Sequence, residues 1–122
     1  MITFDQQVLS DHENKVYGDC TRAVVYTLAQ KDLKLPHPID PETAGWNMEF
    51  FENLEKFHNL CLDYFPREKE HWPRYVGRSG ISPRNIRHLV VWDRQENRMF
   101  HDPHPSRLGL IPGTEDGWFV LS

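Results

Sequence analysis

Two cysteines in 122 residues are too few for a disulfide framework. Each thiol therefore has to be judged by its own surroundings. No apolar run approaches the roughly 20 residues that cross a bilayer, and the opening stretch "MITFDQQVLSDHENK" lacks a basic segment followed by an apolar one. The sequence thus predicts no membrane partner, no secretory signal and a cytoplasmic setting in which both thiols stay reduced. The net charge of -4 is spread over both signs without long runs, so there is no basic stripe for nucleic acid. Gly/Ser linkers, internal repeats and low-complexity tracts are absent too, which predicts one domain spanning residues 1–122. Neither CxxC nor HExxH occurs.

What is present falls between proline clusters at 36–41, 66–83 and 103–112, which mark loops. Gly18 or Asp19 can cap a helix that starts near Cys20, carries Ala23, Val24, Leu28 and Ala29 on one face, and cannot pass Leu35 because Pro36 follows. Trp46, Phe50, Leu54 and Phe57 recur at three- and four-residue spacing and predict a second helix over Trp46–Asn59, with these residues in the core. Downstream, "LCLDYF", "RYVG", "RHLVVWD", "RMFHD" and "GWFVLS" read as strands, with "DRQENR" as a hairpin turn. Helices first and strands afterwards predict an α+β domain with an antiparallel sheet. In this reading Cys61 is an inert core thiol, and "GRSGISPRN" is a loop able to line a cleft.

Cys20 lies in the first turn of its helix, where the helix N-terminus stabilises a thiolate. A catalytic thiol also needs a base and a group that orients the base. If the hairpin pairs Trp92 with Arg98, then Val90 faces Phe100 and His88 faces Asp102, setting a carboxylate beside an imidazole. Asp102 would fix the ring of His88, and His88 would exchange a proton with the sulfur of Cys20. An oxyanion would be held by the Cys20 N–H and an upstream carboxamide, for which Asn14 and Gln6 are the candidates. A competing arrangement, a metal held by His101, Asp102 and His104, requires neighbouring strand residues to share a face.

The stretches "DQQ", "YGDCTRA", "SPRNIRHLVVW" and "FHDPHPSRLGL" together resemble a small papain-like cysteine hydrolase of the kind related to bacteriocin leader peptidases in bacterial and phage genomes. That resemblance implies a papain-like fold with N-terminal helices packed on an antiparallel sheet. It also implies a Cys20, His88, Asp102 triad and hydrolysis of an amide, peptide or isopeptide bond through a thioester, with a peptide or protein substrate and no cofactor. Papain-like enzymes usually carry a glutamine six residues before the cysteine; Asn14 stands there in this chain, and Gln6 lies farther upstream. The same apparatus serves transglutaminase- or deamidase-type acyl transfer, and a fold of this kind can also sequester a peptide without turnover. Asp19, next to the thiol, favours that non-catalytic alternative, because a neighbouring carboxylate works against thiolate formation.

Overall fold

The computed structural model describes residues 1–11, 13, 18–35 and 46–122. Its element order is α1 (Cys20–Ala29), α2 (Trp46–His58), β1 (Leu62–Phe65), β2 (Tyr75–Ile81), β3 (Arg87–Asp93), β4 (Arg98–His101) and β5 (Gly117–Leu121). The strands form one antiparallel sheet in the order β1-β5-β2-β3-β4, so among the described residues the chain is an α+β structure. Helix α1 ends at Ala29, seven positions before Pro36. Gln30 takes a left-handed conformation (φ 60°), and the N–H groups of Gln30 and Lys31 bond the carbonyls of Thr27 and Tyr26.

Both faces of the sheet are covered. Val24 of α1 packs on Leu89 and Val91 of β3, with Leu28, Tyr75 and Phe119 around them. The rear of α1 presents Val25 and Tyr26 to Leu33, Leu35, Phe50 and Leu54, which ties α2 to α1. A separate cluster joins Trp72, Val76, Trp118 and Val120, and the guanidinium of Arg78 lies 3.8 Å from the Trp118 ring centroid. Arg94 braces the loop before β2, donating to Glu68 and to the carbonyls of Lys69, Trp72 and Pro73.

Several expectations change. Phe57 is 64% exposed rather than in the core, because the buried stripe of α2 that packs on α1 runs through Phe50 and Leu54. The side chain of Trp46 lies outside the described residues. Cys61 is exposed; its backbone is fixed by paired bonds with Ser122, while its side chain faces outward. Gly77–Ile81, read as loop, is the greater part of inner strand β2. Its glycines permit close packing, since a Cβ on Gly77 would come within 3.0 Å of the Phe119 Cβ.

The hairpin register is also different. Asp93, not Trp92, pairs with Arg98, and a bulge between Val91 and Trp92 then sets Val91 opposite His101. The cause is local. Asp93 accepts the N–H groups of Gln95 and Glu96 and a two-pronged bond from Arg74, so the turn closes one residue earlier and leaves four loop residues.

Candidate active site

The slip and the bulge each move the register by one, and together they carry Asp102 off the end of β4 to a position diagonal to His88. There the two side chains meet directly. His88 Nε2 donates to Asp102 Oδ1 at 2.6 Å, with both groups buried. The same carboxylate accepts the N–H of His104 at 2.9 Å and of Gly109 at 2.7 Å. Burial opposes ionisation of Asp102, but these three donors prevail and hold its carboxyl at about 2. Burial likewise opposes the charge on His88, yet the bond to Asp102 and the adjacent Cys20 thiol raise the imidazole to about 9. Since Nε2 is committed to Asp102, Nδ1 is the ring nitrogen left for proton exchange with sulfur.

Cys20 comes to this pair on the first residue of α1. Asp19, the residue before it, is only 2% exposed, and its side chain makes no capping bond to the helix. Its carboxylate instead accepts the N–H groups of Gln7 and Val8 and an ion pair from Arg22. The charge of Asp19 is thereby compensated by groups other than the thiol.

The same bonds lay the N-terminal segment across the site. Gln6 N–H donates to the Pro103 carbonyl, while Asp5 receives Arg107 and His101. Arg107 also holds the carbonyl of Asp102. The carboxamide of Gln6 then lies against Gly18, two residues before Cys20: a Cβ at Gly18 would stand 2.9 Å from Gln6 Nε2 and 2.7 Å from Ser10 Oγ. A side chain at this position would push the Gln6 carboxamide and the Ser10 hydroxyl aside. Of the two oxyanion candidates, Gln6 is thus brought to the site, and Asn14 lies outside the described residues.

A cleft of about 350 Å3 opens beside the thiol, lined by Cys20, Thr21, Tyr64, His88, Leu89 and Phe119. Arg87, paired with Asp116 at 2.6 Å, and Ser79, which donates to the same carboxylate, form its polar side. Tyr64 and Phe119 pack with ring centroids 5.4 Å apart to form its aromatic side. Gly117 makes room for Tyr64, because a Cβ there would fall 2.5 Å from the ring. Ser79 belongs to the stretch "GRSGISPRN" expected to line a cleft, whereas the aromatic wall and the anchoring roles of Asp19 and Arg107 have no signal in the sequence, since they depend on partners far away in the chain. Gly-Asp ahead of the cysteine was the one local hint.

The supposed metal ligands do not converge. Asp102 turns to His88, His101 Nε2 donates to Asp5, and the Nδ1 of His104 meets Ser106. No group of three or more His, Cys, Asp or Glu side chains suited to a metal occurs among the described residues. Nor does any helix among them have the length and apolarity to cross a membrane.

Fold and site define an α+β domain with a helix-borne thiol, an imidazole and a buried carboxylate in series. Compared with known proteins, the chain matches no protein family, no curated protein and no solved structure.

Proposed function

We propose that this chain is a papain-like thiol hydrolase that opens an amide, peptide or isopeptide bond through a thioester on Cys20. The observation that carries the reading is the His88–Asp102 bond of 2.6 Å, buried and supported by two backbone N–H groups, with Cys20 next to the same imidazole. A histidine kept in one orientation by a carboxylate that is itself fixed is what a thiol nucleophile needs from its base. The raised imidazole favours the protonated ring, which can give its proton to a leaving group.

In the reaction, sulfur attacks the carbonyl carbon and the C–S bond forms while the oxyanion rests on the Cys20 N–H and the Gln6 amide. The imidazolium gives its proton to the leaving nitrogen as the C–N bond breaks. Water, deprotonated by His88, then adds to the thioester, and the thiolate leaves. An amine taking the place of water gives acyl transfer by the same steps.

The test uses two probes that need no knowledge of the natural substrate, in a Cys61→Ala background that removes the exposed second thiol. Iodoacetamide reports thiolate nucleophilicity alone, and p-nitrophenyl acetate reports acylation and turnover. Cys20 is expected to be alkylated at pH 6 well above the rate of an unstructured thiol, and 4-nitrophenolate release is expected to vanish in Cys20→Ala. Ordinary thiol reactivity at Cys20, or ester turnover that survives Cys20→Ala, refutes the reading.

A further inference from the structure

Gln6 has one atom that the described bonds do not use. Its Nε2 donates to the Val8 carbonyl at 3.1 Å, whereas its Oε1 is buried and has no partner among the described residues. An amide oxygen left without a hydrogen bond in such a place is destabilising. Beside it lies a small cavity of about 30 Å3, lined by Gln6, Ser10, Arg84, Ile86, His88 and His104. An ordered water needs on the order of 10–15 Å3 and two or more polar partners, and this cavity offers both.

The second partner is specified by a backbone bond. Ser106 N–H donates to His104 Nδ1 at 3.0 Å, and a backbone amide cannot accept, so the neutral ring of His104 carries its proton on Nε2. Burial, followed by the nearby Arg84 charge, keeps the His104 imidazole below its ordinary value and hence neutral near pH 7. Its ring stands edge-on to His88, at 6.3 Å and 85°. Arg84 is engaged with Ser106 Oγ.

We infer that the cavity holds one water that accepts from His104 Nε2–H and donates to Gln6 Oε1, making His104 a positioning residue for the oxyanion donor. With Oε1 tied to the water and one Nε2 hydrogen tied to Val8, the other Nε2 hydrogen is directed to the thiol side, where Gly18 leaves room for it. This inference rests on the thiol-hydrolase reading.

The experiment compares the two probes in the full chain with Cys61→Ala. Alkylation by iodoacetamide creates no oxyanion; acylation by p-nitrophenyl acetate does. His104→Ala is expected to slow acylation roughly tenfold, part of the 10²–10³ that removing a donor outright costs, and to leave alkylation unchanged. His104→Gln, which keeps an N–H donor, is expected to recover most of the loss. In a Gln6→Ala background, His104→Ala is expected to add nothing further. Equal slowing of both probes by His104→Ala overturns the inference, as does an undiminished effect in the Gln6→Ala background or an acylation rate equal to wild type. Melting temperatures of all variants identify any loss that comes from unfolding. Ester turnover that survives Cys20→Ala removes the underlying reading instead, so the two failures are separable.

Discussion

Replacing Asp102 tests the site most severely, because its carboxylate is both the orienting group for His88 and the anchor of a turn. It is 1% exposed and serves three donors: His88 Nε2 and His104 N–H on Oδ1, and Gly109 N–H on Oδ2. In Asp102→Asn the single amide oxygen satisfies more donors at the Oδ1 position, which leaves the Gly109 N–H facing an amide –NH2 at a cost of about 1–3 kcal/mol. His88 keeps an acceptor but loses a charged one, so its deprotonation should move from about 9 back toward the ordinary histidine value. In Asp102→Ala all three donors are stranded, and about 3–6 kcal/mol is expected to be lost, a large part of the roughly 5–15 kcal/mol that keeps a domain folded. Urea denaturation followed by tryptophan fluorescence reads the stability of each variant. NMR of the His88 ring reads its titration, and p-nitrophenyl acetate reads turnover. The expected order is wild type, Asn, Ala in stability and in turnover, with Ala lowest on both counts. A fully stable Asp102→Ala, within about 0.5 kcal/mol of wild type, would refute the buried three-donor network. An unaltered His88 titration in Asp102→Asn would refute the orienting role.

Cys61→Ala should leave stability within about 0.5 kcal/mol and turnover unchanged, because the side chain is exposed; a melting curve and the ester assay decide this. Asp19→Ala should cost roughly 3–5 kcal/mol by urea denaturation, since it strands the Arg22 charge and the N–H groups of Gln7 and Val8 in a buried position. For the His88–Asp102 pair, the folded imidazole at about 9 lies above its unfolded value of about 6.5, so its contribution is complete below about 6.5 and is lost as pH rises through 9. The folded carboxyl at about 2 lies below its unfolded value of about 3.9, so its contribution is complete above about 3.9 and is lost as pH falls through 2. Stability measured against pH should therefore peak between about 4 and 6.5 and decline on both sides, and a flat profile up to pH 10 would contradict the raised imidazole.

Much of the candidate site could be read from the chain because its signals are local. A glycine-aspartate pair before an apolar 3.6-residue pattern marks the start of α1, and β-branched residues around His88 mark β3. The meeting of His88 with Asp102 was inferred through a register that the structure does not have. The pair forms because the early closure at Asp93 and the bulge at Val91/Trp92 offset the hairpin in a way that alternation alone cannot express. Periodicity identifies α2 but does not say which of its apolar residues find partners in other elements, hence the misplaced Phe57. The first residues of β2 are legible as "RYVG", but its continuation to Ile81 is hidden because its glycines, which read as loop, are there to let Phe119 and Thr114 approach the backbone. The approach of Gln6 to Gly18 spans twelve residues and is legible only once Asp19 has drawn the N-terminal segment inward.

The position of β5 has a consequence for the order in which the molecule can assemble. Among the described residues it is the last strand in sequence, yet it lies between β1 and β2 and is the only strand to which β1 is paired. Until residues 117–121 have emerged from the ribosome, β1 has no neighbour, one long side of β2 is unpaired, and the aromatic wall at Phe119 does not exist. Folding therefore has to wait for contacts between distant parts of the chain, a topology that slows the search and leaves strand edges open to other chains during synthesis. The cleft beside Cys20 accordingly takes shape only once β5 has been made, and a nascent thiol remains without its full surroundings until then.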